Sequence, residues 1–215
     1  MRVLVAFVAL AVATALLGAA IKTWTPAIDL QIVQAVAGHR SASLTTVARI
    51  VTEAGSLAFL VPLMIVLLAL RRWKQPADDI ALILVTTGCA VLPWATKLIV
   101  ARPRPTIEQL VQVASLSFPS GHATQAAGVY LAIALVLGTG SGRRSTPAIA
   151  ITVAILLALA VAATRIYLGV HFPSDVIGGL LLGWSWTLLI FYWARPALTR
   201  TLAGPVTAAN GAATD

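Results

Sequence analysis

Charge is scarce in this chain, and carboxylates are scarcer still. Of 215 residues, 10% are charged and 59% are hydrophobic, and the mean hydropathy is +0.93. A soluble domain carries about 25% charged residues, so the composition excludes an ordinary water-facing globule. Seven residues are acidic, and no grouping of His, Cys, Asp and Glu shows metal-ligand spacing. Chemistry that needs a carboxylate cage around a divalent ion has no evident seat, and no cofactor is expected. The single cysteine, Cys89, excludes an intramolecular disulfide and leaves the redox compartment unread. No long polar insertion is present that could build a separate soluble domain.

What the chain does have is apolar length and a positive balance. Six stretches approach the roughly 20 apolar residues a spanning helix needs: Arg2 to Ile21, Leu57 to Leu70, Ile80 to Ala101, His122 to Leu137, Ala148 to Ala163 and Val176 to Trp193. The second, fourth and fifth are short and would borrow length from neighbouring loops. Between the first two, Ile28, Ile32, Val36, Val47, Ile50 and Val51 recur at helical spacing among polar residues, which predicts one or two helices lying along the membrane surface. The expected fold is all-α: a polytopic membrane helical bundle of about six transmembrane helices, one domain over residues 1–200, with a disordered tail over 201–215. The first stretch fits either a retained helix or a cleaved signal peptide with its site at Ala13-Thr14-Ala15. Trp24, Trp73 and Trp193 fall near predicted interfaces. The net charge is +8. Its cations are spread through short loops, so the expected partners are the membrane and an anionic lipid, with no nucleic acid. The oligomeric state is not readable.

Basic residues set the orientation. The amino-terminal side holds eight: Arg2, Arg71, Arg72, Lys74, Arg143, Arg144, Arg195 and Arg200. The other side holds seven: Lys22, Arg40, Arg49, Lys97, Arg102, Arg104 and Arg165. Three of these seven, Lys97, Arg104 and Arg165, belong to polar motifs described next; without them four remain. The amino-terminal side is therefore expected to be cytoplasmic.

Three polar islands interrupt the apolar run. They read K-x6-RP from Lys97 to Pro105, PSGH from Pro119 to His122, and R-x5-H-x3-D from Arg165 to Asp175. Lys97 and Arg104 close the third span, Ser120 to His122 open the fourth, Arg165 closes the fifth, and His171 to Asp175 open the sixth. Alternating helices bring all four ends to one face, the extracytoplasmic one. If the third helix continues, Lys97 and Arg104 share a helical face two turns apart. Arginine forks and a lysine point charge suit phosphate, although the same cations could anchor helix ends at headgroups. Headgroup anchoring is the favoured reading for the off-pattern Arg102. Ser120 suits an N-cap or a phosphate contact, and Gly121 permits close approach of an anion to free N–H groups. His122 suits proton transfer near neutral pH. His171 and Asp175, four apart, suit an imidazole oriented by a carboxylate, while Asp175 also suits a plain helix cap. Gly179 and Gly183 form a small-xxx-small pair for helix packing. His39 matches no motif.

Together the three motifs resemble the type 2 phosphatidic acid phosphatase family, which shares its core with vanadium haloperoxidases. The resemblance covers Lys97 to Asp175 by motif. It implies a metal-independent lipid phosphate phosphatase. In that reading His171 attacks phosphorus to form a phosphohistidine, Asp175 orients it, and His122 protonates the leaving group. Lys97, Arg104, Ser120, Gly121 and Arg165 hold the phosphate. One departure is Thr164, where the family usually has serine. The haloperoxidase relatives are soluble, unlike this chain. A non-catalytic protein that only binds or transports an anionic lipid is the competing class; it needs no nucleophile. The implied substrates are phosphatidic acid, phosphatidylglycerol phosphate or a polyprenyl diphosphate.

Overall fold

A computed structural model describes residues 2–24, 26–70, 75–139 and 145–203. Among them every regular element is helical: α1 (Arg2–Trp24), α2 (Pro26–Ala37), α3 (Ala42–Glu53), α4 (Leu57–Ala69), α5 (Pro76–Val100), α6 (Gly121–Thr139), α7 (Ser145–Tyr167), α8 (Pro173–Leu189), a π turn at Ile190–Ala194, and α9 (Arg195–Ala203). The all-α membrane bundle expected from hydropathy is the fold. Arg71, Arg72, Trp73, Lys74, Arg143, Arg144, the Trp24 side chain and the tail beyond residue 203 lie outside the described residues. The start of the expected tail, 201–203, is helical.

Five helices are long and apolar enough to span: Leu4–Thr23, Pro76–Val100, Gly121–Gly138, Pro147–Tyr167 and Pro173–Leu202. The short predicted fourth and fifth spans do borrow loop residues. The predicted second span is a correction. Its helix α4 has 13 residues, about 20 Å at 1.5 Å per residue, against a hydrocarbon core of about 30 Å. It passes as a span only together with α3, across a 45° bend. So α3, expected along the surface, forms with α4 a bent apolar pair of the kind a broken span or a re-entrant loop makes, and α2 alone is a short apolar helix.

The packing inverts that of a soluble protein. Large apolar side chains such as Leu4, Leu16, Ile99 and Leu156 are exposed toward lipid, while Asp29, Lys97, Arg102, Arg165 and Asp175 are buried. Helix α6 is the hub, packed by α5, α7 and α8. Its close approach to α8 needs glycine on α8: a Cβ at Gly183 would stand 2.3 Å from Thr124 O, and one at Gly179 2.6 Å from Ser120 O. The Gly179–Gly183 pair therefore packs within the chain. At the end away from the motifs, the core gathers Leu82, Val85, Leu92, Val129 and Trp186. Trp186 donates to Leu84 O (3.0 Å) and meets the Phe7 ring edge-on. An Arg195–Asp78 ion pair ties α9 to the start of α5 at that same end.

Candidate active site

The motif residues are delivered by helix termini and, for Arg104, by the loop after α5, for local reasons. Arg102 precedes Pro103, which disfavours a helical conformation at residue 102. Ala101 takes the left-handed conformation (φ 48°, ψ 41°), and its N–H caps Lys97 O. Helix α5 thus stops at Val100, and the expected shared helical face for Lys97 and Arg104 does not form. The loop brings them together instead. Lys97 Nζ donates to Leu116 O and to Ser117 O (3.3 Å). Arg104 reaches the same strand of loop, with Nε on Ser115 O (2.6 Å) and Nη2 on Ser115 Oγ (3.1 Å) and Leu116 O (3.3 Å).

Ser120 and Gly121 lie where α6 begins. Ser120 is fully buried, its N–H donates to Asp175 O (3.0 Å), and its Oγ has no hydrogen-bond partner. The hydroxyl therefore does not serve as a side-chain cap. A Cβ at Gly121 would meet nothing nearer than Gln125 Nε2 at 3.9 Å, so this helix start is uncrowded. His122, partly buried in the first turn, lies in the fields of Arg165, Arg104 and Lys97. Arg165, in the last turn of α7, is 3% exposed; Nη1 donates to Thr52 Oγ1 (2.8 Å), and Nε has no partner. Thr164 donates its hydroxyl to Val161 O within its own helix (2.6 Å).

The histidine–carboxylate pair sits at the start of α8. Gly169, at φ +76°, turns the chain out of α7. Phe172 is the N-cap and Asp175 occupies the third helical position. Asp175 Oδ2 accepts from Phe172 N–H (2.9 Å) and from Ser117 Oγ, and lies 3.6 Å from His171 Nδ1. Both readings of Asp175 therefore hold: it caps the helix and it faces the imidazole. On the opposite ring edge, Arg104 Nη1 stands 3.3 Å from His171 Nε2 and also donates to Val170 O. Burial pushes the His171 pKa down to about 3, with the Asp175 carboxylate opposing and the Arg104 and Lys97 cations adding to the fall. At neutral pH the ring is uncharged, with a lone pair on one nitrogen.

Four residues of this cluster escape the sequence motifs. Arg102, expected at the headgroups, is 4% exposed and bridges Asp29 and Asp175 at 2.6 Å each. Asp29 is an isolated acid on α2; nothing in its spacing marks it. Ser117 lies two residues before the proline of PSGH, and Thr52 lies on α3. The cations predicted for this face do lie here: Lys22 reaches Val100 O (3.5 Å), Arg40 binds Tyr167 O and Glu108 O (3.0 Å each), and Arg49 binds Leu110 O (2.9 Å).

The chain that carries this constellation has known relatives. The PAP2 superfamily pattern matches residues 78–198, and the chain belongs to that superfamily. It is 34% identical over 147 residues to phosphatidylglycerophosphatase B of Bacillus subtilis, covering 67% of this chain and 70% of that protein. It is 36% identical over 88 residues to a lipid A 1-phosphatase of Rhizobium etli, covering 40% of this chain and 34% of that one. Among solved structures, a transmembrane PAP2-type phosphatidylglycerolphosphate phosphatase of Bacillus subtilis superposes with a TM-score of 0.79 at 32% identity, over 88% of this chain and 96% of that chain. Aquifex aeolicus LpxE superposes with a TM-score of 0.62 at 29% identity, over 78% and 96%. The chain is thus an integral membrane protein of the PAP2 superfamily.

Proposed function

We propose that this protein hydrolyses the phosphate of a membrane-anchored lipid through a phosphohistidine. The observation that carries the reading is the polarity of the His171 ring. Its Nδ1 edge faces Asp175 and Ser117, and its Nε2 edge faces Arg104. A carboxylate at Nδ1 favours the tautomer with the proton there and the lone pair on Nε2. That lone pair attacks phosphorus while the bond to the lipid oxygen breaks. His122 gives its proton to the departing oxygen. Water then attacks the phosphohistidine and gives a proton to His122, which restores its acid form; the P–N bond breaks, its electron pair returns to Nε2 of His171, and inorganic phosphate leaves.

Lys97, Arg104 and Arg165 offset the charge of the transferring group, in place of a metal ion. Ser120 Oγ and Arg165 Nε are buried polar atoms without hydrogen-bond partners, and phosphate oxygens would satisfy both. Gly121 and the N–H groups opening α6 add an anion-binding helix end. Phosphatidylglycerol phosphate is the first substrate to assay, given the Bacillus relative. A polyprenyl diphosphate is the second, because the site is proposed to face away from the cytoplasm. Purified protein in detergent with EDTA should release phosphate from at least one of these or from phosphatidic acid. No release from any of them would remove the reading, and release that EDTA abolishes would remove the metal-free mechanism.

The sidedness is tested with a cysteine at Thr106, which is exposed on the loop beside Arg104, in a chain whose own Cys89 is fully buried. Thr106→Cys should react with an impermeant thiol reagent on intact cells. Labelling that appears only after lysis would invert the orientation.

A further inference from the structure

We propose that Arg102 and Asp29 are positioning residues for this reaction, holding one oxygen of the Asp175 carboxylate so that the other stays facing His171. The proposal rests on the phosphatase reading above. Arg102 is the arginine that the K-x6-RP pattern leaves out, yet its guanidinium is among the most buried charges of the chain. Nη1 donates to Asp175 Oδ1 (2.6 Å) and Ser174 Oγ (2.7 Å), and Nη2 donates to Asp29 Oδ2 (2.6 Å). The guanidinium carbon stacks 4.4 Å from the centre of the Phe172 ring. Asp29 in turn accepts from Ser174 N–H at Oδ1 (3.1 Å) and from Ser174 Oγ at Oδ2.

The geometry divides the labour of the Asp175 carboxylate. Oδ1 is gripped by Arg102 on the side away from the imidazole. Oδ2 is left to Phe172 N–H, Ser117 Oγ and the Nδ1 edge of His171. A carboxylate held at one oxygen cannot rotate, so the other stays in register with the ring. The fork serves Asp175 and Ser174 from Nη1 and Asp29 from Nη2, a spacing that the single nitrogen of a lysine does not offer.

The charge balance points the same way. If Arg102 faced Asp175 alone, the buried pair would be neutral, and the carboxylate would have little left with which to stabilise an imidazole that turns cationic on phosphorylation. Asp29 on the far side makes the trio one cation between two carboxylates. It leaves a net negative charge where the phosphohistidine needs it. Stability alone does not explain the network, because a buried ion cluster is often no more stabilising than apolar packing of the same volume.

The test is a double-mutant cycle read in kcat, KM and melting temperature, in detergent, with an activated aryl phosphate so that slow variants remain measurable. R102M should lose about 10²-fold in kcat with KM little changed, the scale expected when a supporting group lets a reacting group drift. D29N, which keeps shape and loses charge, should lose less, also in kcat. In a D175N background R102M should cost nothing further, because the group it acts through is already disabled. A loss in that background equal to the loss in wild type would make Arg102 an independent structural element and overturn the proposal, as would wild-type kcat in R102M. If R102M melts or aggregates, the same cycle with R102K, which keeps the buried charge, carries the same two outcomes. Wild-type protein that releases no phosphate would instead remove the phosphatase reading, and the pair's role with it.

Discussion

His171→Ala protein should release phosphate about 10⁴-fold more slowly than wild type or not at all, the scale seen when a nucleophile of a coupled triad is removed. The site offers no substitute. His122 is the other histidine of the cluster, but it stands at the opening of α6, apart from the Asp175–Ser117 contacts that set the His171 tautomer. Wild-type protein quenched in turnover should carry a phosphoryl group stable to base and labile to acid, and H171A should carry none. The loss should not come from unfolding, so the variant should stay monodisperse in detergent. H122A should behave differently. A good leaving group needs no proton, so turnover of an aryl phosphate should suffer far less than turnover of a lipid phosphomonoester. Because burial holds the His171 pKa near 3, well below its ordinary value of 6.5, the nucleophile stays unprotonated through the acid range. A fall in kcat/KM between pH 7 and 5 should therefore not arise from His171 and should persist in variants that leave the His171–Asp175 pair intact. Full activity in H171A would end the covalent mechanism.

Much of this was legible because charge is so costly in an apolar chain that each buried charge has to be explained. Lys97, Arg104, Ser120, His122, Arg165, His171 and Asp175 could be assigned to one face from helix alternation alone, and the structure places them there. Asp175, expected where the sixth span opens, lies in the first turn of α8. What could not be read was long-range pairing. Arg102 and Arg104 sit in the same R-P-R-P run, and nothing local says which turns inward. Both do, and the partner that buries Arg102 lies 73 residues away on α2. Asp29 was invisible for the same reason, since a lone acid on a half-polar helix resembles a solvated one. Hydropathy windows see composition and not the 45° bend between α3 and α4, so they do not tell a surface helix from half of a bent pair. The two-turn face for Lys97 and Arg104 was conditional on the helix continuing, and the prolines at 103 and 105 bias the chain out of it; α5 ends at Val100.

The lipid tail should matter as much as the phosphate. The candidate site lies at helix ends, and apolar side chains stand on the outside of the bundle near it in the chain: Leu98 and Ile99 follow Lys97 on α5 and are exposed, and Leu16 of α1 shares a surface hollow with Ile99. A substrate whose chains remain in the bilayer can present its phosphate to Lys97, Arg104 and Arg165 without leaving the membrane. A soluble phosphate must enter the same charged cleft with no apolar binding energy to assist. Each methylene removed from water is worth about 0.8 kcal/mol. A chain in a micelle has already left water, so at equal surface concentration only contacts that it makes better with the protein in the transition state than with detergent count; about 2.7 kcal/mol of such contacts gives on the order of 10²-fold in kcat/KM. The comparison is a long-chain lipid phosphate against its short-chain analogue with the same headgroup, at equal surface concentration in mixed micelles. The long-chain substrate should win by that order, chiefly in KM if the chain binds ground and transition states alike, and in kcat if the chain helps seat phosphorus against His171 Nε2. Equal kcat/KM values for the two would show that the tail contributes nothing, and would leave a phosphatase that is embedded in the membrane without reading its lipids.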